Sequence, residues 1–189
     1  MAFYLNYIGG PEQTDFVVDM MGITRPVDGA NGRWRHLVDG VADLHFDKAR
    51  VLVNGDYGTE KVPPGGVGTN MADASASWFG ASGTLGYAVS DEFAVAVRGS
   101  YFSDNDGIYA ATWGATPFRK ASVFDGTLTL AATPTPNLII KLEPRIDSVS
   151  SDDPTWQGGF PKAPEAAPAV VQPSKTMFTT TLGVVVTTN

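Results

Sequence analysis

Between Asn137 and Asp147 the chain reads NLIIKLEPRID, and a period of two separates this segment into two chemically opposite faces. Leu138, Ile140, Leu142 and Ile146 fall on one side, with Pro144 among them. Lys141, Glu143, Arg145 and Asp147 fall on the other, with Ile139 nearest the turn. Such alternation is the signature of a strand, whose successive side chains point to opposite faces of a sheet. A sandwich core does not accept four adjacent full charges, and a strand facing bulk water has no need of an aliphatic reverse side ending in proline. Enclosed water on one face and hydrocarbon on the other accounts for both.

The same period recurs along the chain and predicts eight strands, at about 2–8, 33–46, 49–57, 76–89, 93–102, 120–132, 138–146 and 176–186. Several are long enough for a tilted strand to cross a bilayer, and longer than the usual strand of a globular protein. The connections alternate in length. Asp47-Lys48, Ser90-Asp91-Glu92 and Thr133 to Asn137 are tight turns, whereas 9–32, 58–75, 103–117 and 147–175 are long. Short turns at one end and long loops at the other is the habit of outer-membrane barrels. The last long loop contains WQGGFPKAPEAAPAVVQP, rich in Pro and Ala, and is expected to hold no regular structure.

Each predicted strand repeats the division of faces. Arg35, Asp39 and Asp43 oppose Trp34, His36, Val38, Leu44 and Phe46; Arg50 and Asp56 oppose Val51, Val53 and Tyr57. Further on, Arg98 opposes Phe93, Val95, Val97 and Tyr101, and Asp125 opposes Phe124, Leu128 and Leu130. With Lys141, Glu143, Arg145 and Asp147 these residues form a charged ladder of both signs, expected to face a lumen. The apolar faces begin or end with aromatics. Phe46, Tyr87 and Phe93 fall near short turns, and Trp34, Tyr57, Phe79 and Tyr101 near long loops. Two aromatic girdles flanking an aliphatic band are what the two lipid interfaces select.

Composition narrows the functional classes. The 189 residues include 21 Gly and 13 Pro with many Thr, Val and aromatic residues, which suits an all-β chain with many turns. A net charge of −7 argues against nucleic acid as a partner, because phosphate binding needs a basic face. With no cysteine there is neither a disulfide scaffold nor a thiolate metal site. No run of apolar residues is long enough for a transmembrane helix, which leaves barrel strands untouched as a way of crossing. Met1-Ala2-Phe3-Tyr4 lacks the basic and apolar regions of a signal peptide, so the chain is expected to be a mature or truncated form.

Catalytic chemistry finds little to stand on. His36 and His45 are an odd number of residues apart on one predicted strand and so point to opposite faces. His36 is expected on the apolar face and His45 among the lumenal hydrogen bonds. No nucleophile elbow or phosphate loop occurs. Gly9-Gly10-Pro11, Gly65-Gly66 and Gly158-Gly159 read as loop punctuation. Ser103-Asp104-Asn105-Asp106-Gly107 has the opening of a calcium loop but lacks its later bidentate Glu, so a plain turn is expected. No catalytic residue, metal or cofactor is assigned.

Five segments resemble one family. They are YLNYIGGPE (Tyr4 to Glu12), RWRHLVD (Arg33 to Asp39), LVNGDYGTE (Leu52 to Glu60), the run from Trp78 to Gly107, and LTLAATPTPNLIIKLEPRID (Leu128 to Asp147). In order and spacing they resemble the β-barrel porin-2, OmpL-like family, and in particular its C-terminal half. The resemblance implies a bacterial outer-membrane β-barrel with passive transport and no catalytic residues. The expected fold is thus an all-β, antiparallel, up-and-down transmembrane barrel. About eight strands come from this chain, as one domain over 1–189 or as the C-terminal part of a larger barrel. Expected partners are outer-membrane lipid and other barrel segments or subunits that complete the wall. A porin-like channel for small solutes or ions competes with a non-conducting barrel whose long loops bind a partner. A soluble β-sandwich or small-ligand barrel is a third reading, and an enzyme the weakest.

Overall fold

The alternating segments all form strands, and they pair in chain order. A computed structural model describes residues 1–11, 16–18, 24–26, 32–61, 75–109, 119–153, 156, 158–161 and 173–187. The strands are β1 (Ala2–Pro11), β2 (Phe16–Val18), β3 (Thr24–Pro26), β4 (Trp34–Phe46), β5 (Ala49–Lys61), β6 (Ser75–Ala88), β7 (Phe93–Asp104), β8 (Ala121–Thr135), β9 (Leu138–Ser151), β10 (Phe160–Pro161), β11 (Pro173–Ser174) and β12 (Thr176–Val186). Eight of them make one antiparallel meander in the order β1-β4-β5-β6-β7-β8-β9-β12. This is the all-β, up-and-down architecture that the alternation predicts. The edge strands β1 and β12 share no ladder with each other.

The strands run further at their long-connection ends than the side-chain pattern foretells. Gly9, Gly10 and Pro11 are not loop punctuation; they continue β1 and pair with His36, Arg35 and Trp34. Glycine and proline are tolerated there because β1 is an edge strand. Likewise β5 continues past Tyr57 to Lys61, and β9 past Asp147 to Ser151. Two small ribbons, β2 with β3 and β10 with β11, lie within the first and last long connections. The second corrects the expectation that the Pro/Ala-rich segment holds no regular structure. The Gly65-Gly66 pair lies outside the described residues.

The tight turns have local reasons. Asp47 takes a positive φ of 22°, which a short polar side chain tolerates better than most. Ser90 Oγ accepts from the backbone N–H groups of Glu92 (3.3 Å) and Phe93 (3.1 Å), which closes the next turn. The third turn is tighter than the sequence suggested. β8 runs to Thr135, with a register shift between Ala132 and Thr135.

Register links the strands into a tilted wall. One perpendicular row runs Ala2, Asp43, Leu52, Thr84, Arg98, Thr127, Arg145, Thr179. β1 lies wholly on the long-connection side of that row, whereas most of β12 lies on the short-turn side. The strand midpoints therefore slip by about one residue per strand. At ~3.3 Å per residue and ~4.8 Å between strands, this slip is a tilt of about 35°, as closed barrels require.

Burial is inverted relative to a soluble sheet protein. Val97 is 57% exposed and Leu142 40%, while Asp125 and Asp147 are 6% exposed on the opposite face. Among the described residues the buried hydrophobic ones are few, and Ala121, Val149 and Trp156 form a small cluster with Val123 near the long-connection end. Val97 sits midway between Phe93 and Tyr101 on the apolar face of β7. Val97→Arg is expected to cost about 2–4 kcal/mol of folding free energy in lipid, and Val97→Leu less than ~1 kcal/mol. Urea titration of the chain refolded in phospholipid vesicles checks this; equal effects of the two variants would contradict a lipid-facing Val97.

Candidate functional site

Because directly opposed residues of antiparallel strands share a face, the registers place the charged residues without ambiguity. Asp39 opposes Asp56, His45 opposes Arg50, and Asp125 opposes Asp147. Asp43, Arg98 and Arg145 lie in the perpendicular row described above. Arg35, Lys141 and Glu143 follow by the period of two along β4 and β9. All eleven predicted ladder residues stand on one face of the sheet. They are not one continuous ladder but several local constellations.

The tightest constellation joins β7, β8 and β9. Arg145 donates from Nε to both oxygens of Asp147 at 2.9 Å, and from its terminal nitrogen to Oδ1 at 2.5 Å. The same guanidinium lies 3.6 Å from Asp125 Oδ2, and Arg98 lies 3.6 Å from Asp125 Oδ1. Ser100 donates its hydroxyl to Asp125. Two carboxylates directly opposite each other repel, and Arg145 between them, with Arg98 beside, offsets that repulsion. Next to this knot Thr129 donates to Glu143 at 2.9 Å.

Two further groups occupy β4 and β5. Near the short turns Arg50 holds Asp43 by two hydrogen bonds, 2.9 Å from Nε and 2.8 Å from the terminal nitrogen. His45 Nε2 lies 3.1 Å from the same carboxylate. Midway up, Asp39 accepts from Asn6 at 2.8 Å and from Asn54, and it opposes Asp56. No cation pairs with Asp39 or Asp56 among the described residues. Lys141 likewise has no carboxylate partner among the described residues. It flanks a recess of about 360 Å³ over the small residues Gly86, Ala88, Ala94, Ala96 and Ala131, with Arg50 on the other side.

The long-connection end carries a group that the sequence did not announce. Arg35 donates from Nε to Glu60 at 2.8 Å and lies 5.8 Å over the Trp78 ring. Tyr109 meets Trp78 edge-on at 5.3 Å. Trp78 is buried against Gly58, directly opposite, where any Cβ would collide with the ring. The side-chain pattern ends β5 at Tyr57 and so leaves out Glu60, which the strand in fact includes. Its parity with Arg50, Asn54 and Asp56 was the available signal.

The SDNDG turn is closed by its own carboxylates. Asp104 accepts from the backbone N–H of Ile108 (3.1 Å) and of Tyr109 (2.6 Å), and Asp106 accepts from the N–H (2.7 Å) and hydroxyl (3.0 Å) of Ser77. Gly107, with φ of 72°, lies where a side chain would strike the Arg119 backbone. Both carboxylates are thus spent on protein donors.

The seven predicted aromatics all lie on the apolar face. Tyr57 opposes Phe79, and Phe46, through Ala49, lies in line with Tyr87. Phe79 and Tyr101 are in ring contact at 5.6 Å. Past Tyr57, Phe79 and Tyr101 the same face turns to hydroxyls, with Thr59, Ser77, Ser103 and Ser122. His36 sits on this face as expected, its Nδ1 2.7 Å from the Tyr7 hydroxyl and its ring stacked between Tyr7 and Trp34.

A wall of tilted antiparallel strands with one apolar and one ionised face is the build of a porin, and the family comparison agrees. Residues 1–186 match the family described as beta-barrel porin-2, OmpL-like. The chain belongs to this family. Membership makes it a porin-type β-barrel protein of the outer membrane, which is the identity that its motifs suggested. No curated protein and no solved structure matches it at a significant level.

Arg145→Ala leaves Asp125 and Asp147 opposed with one partner fewer. The expected loss is about 2 kcal/mol, because a hydrogen-bonded charge pair contributes ~1.5–3 kcal/mol and Arg145 itself is part-exposed. Adding Asp147→Asn is expected to recover part of it, a non-additivity of at least ~0.5 kcal/mol in a double-mutant cycle. Strict additivity would mean that the pair is not coupled.

Proposed function

We propose that this porin-family chain forms the wall of a passive channel for small solutes or ions, with the charged face toward the water-filled lumen and the aromatic residues at the two lipid interfaces. The observation that carries the reading is the inverted burial. Aliphatic side chains are exposed along one face, and carboxylates are sheltered on the other. A bilayer reverses the preferences of a soluble protein in this way, because hydrocarbon surrounds the wall and water fills it. The spacing of the aromatics supports it. Phe79 and Tyr87, like Phe93 and Tyr101, stand eight residues apart on one strand, about 26 Å along it at ~3.3 Å per residue; at the ~35° tilt this spans about 22 Å of height, comparable with the ~25 Å apolar band.

The lumenal charges also set a direction of selectivity. Six of the eleven ladder residues are acidic, Glu60 adds a seventh, and the opposed pair Asp39–Asp56 has no cation beside it among the described residues. Rings of carboxylates favour cations over anions. A second reading, a non-conducting barrel whose long loops bind a partner, draws its support from the Arg145–Asp147–Asp125 knot. Such a network satisfies its own charges and fills space that a pore would leave open.

Planar-bilayer recording separates the two. The channel reading expects a steady, salt-dependent current whose reversal potential in a KCl gradient reports cation preference. Asp39→Asn combined with Asp56→Asn is expected to move that potential toward zero. Electrical silence of folded, inserted protein would overturn the channel reading in favour of the second.

A further inference from the structure

The charged face changes character toward the long connections. Midway along the strands it carries Asp56, Ser82, Arg98 and Asp125. Further up, the same face carries Ala76 and Trp78 on β6, Phe102 on β7, Ala121 on β8 and Val149 on β9. Apolar side chains on the water side of a wall need a cover, and one is present. Ala121 is 0% exposed, Ala76 1%, Val149 2% and Trp78 6%.

Two connections turn back over this face. After β7 the fully buried Asp104 accepts from the backbone N–H groups of Ile108 and Tyr109. This sets Tyr109 edge-on against Trp78 and 6.3 Å from the Phe102 ring. After β9 the buried Trp156 packs with Ala121 and Val149, and Lys175 Nζ lies 5.5 Å over its ring. Each connection has a glycine in the left-handed region, Gly107 with φ of 72° and Gly158 with φ of 132°. A Cβ at either would strike backbone, of Arg119 at Gly107 and of Ser174 at Gly158. Close backbone packing thus fixes the cover at both points.

The other end of the same face is left unfilled. Gly86, eight residues along β6 from Trp78, lies in the floor of the recess of about 360 Å³ between Arg50 and Lys141. The two places are about 26 Å apart along the strand at ~3.3 Å per residue. We propose that the layer carrying Tyr109 and Trp156 is the size-limiting constriction of the passage, at its long-connection mouth, and that the recess belongs to a wide vestibule at the short-turn end. This rests on the channel reading and adds to it where solutes are sieved and by which side chains. Rings held in a close-packed layer exclude volume, so the limit is one of pore diameter. It is separate from the charge preference set at Asp39 and Asp56.

Two measurements test this, and the first needs no current. The chain has no cysteine, so an introduced thiol reports cleanly. Val149→Cys and Ala96→Cys, both on the charged face, are refolded separately in detergent micelles and treated with a charged methanethiosulfonate reagent. Val149→Cys is expected to react at least ~100-fold more slowly than Ala96→Cys, and the addition of Trp156→Ala to speed it at least ~10-fold. Equal rates for the two single variants would overturn the inference. In planar bilayers, Tyr109→Ala combined with Trp156→Ala is expected to raise the unit conductance at least ~1.5-fold and to admit larger polyethylene glycols. Ala96→Leu, in the vestibule, is expected to leave both unchanged. A silent native chain whose double variant conducts would also support the inference, the layer then closing the mouth. Equal conductance of native and double variant would overturn the inference and leave the channel reading standing. Silence of both would overturn the channel reading, and the inference with it.

Discussion

Backbone hydrogen bonding in a medium without water is the constraint from which the rest of this structure follows. A strand in hydrocarbon satisfies its N–H and C=O groups only by pairing on both sides. The chain answers with a single uninterrupted antiparallel ladder from β1 to β12. That ladder fixes which residues share a face. The alternation that puts Leu142 on the apolar face and Glu143 on the charged face is therefore the side-chain consequence of a backbone requirement.

The charged face shows how a wall tolerates ions. Opposed carboxylates recur, Asp125 with Asp147 and Asp39 with Asp56. The first pair is held by Arg145 and Arg98, whereas in the second Asp39 accepts from the amides of Asn6 and Asn54. Cations offset the charge of the first pair; uncharged amides solvate Asp39 and leave net negative charge on the wall. Such local differences make the charged face uneven from one strand pair to the next. The small residues around Gly86 and Ala96 add a third kind of place, a recess flanked by Arg50 and Lys141.

The long-connection end is built differently from the rest. There the strands outrun the apolar band, and the apolar face gives way to Ser77, Ser103 and Ser122. On the opposite face Trp78 fits over Gly58 beneath Arg35 and Tyr109. This packing of aromatic and ionic groups over a glycine is close contact of the ordinary folded kind. It is also where side-chain pattern and strand length part company. Alternation weakens once both faces are polar, so the side-chain pattern ends β5 at Tyr57 and β9 at Ile146 and places Glu60 in a loop, whereas the ladder continues through it.

The amino-acid order by itself determined the class of the fold and the two faces of every wall strand. Period-two patterning is a local property, and the contrast between ionised and aliphatic neighbours is strong on β4, β5 and β9. It also determined which aromatics border the apolar band, since their positions follow from strand parity and nearby turns. Register, and with it every partnership, was decided only by the tertiary structure. That Arg145 reaches Asp147 and Asp125, that Asp39 meets Asp56, and that Gly58 lies under Trp78 depend on how neighbouring strands slide past one another. Side-chain pattern repeats every two residues and is nearly blind to slips of that size; the ladder of backbone hydrogen bonds and the packing across it select one.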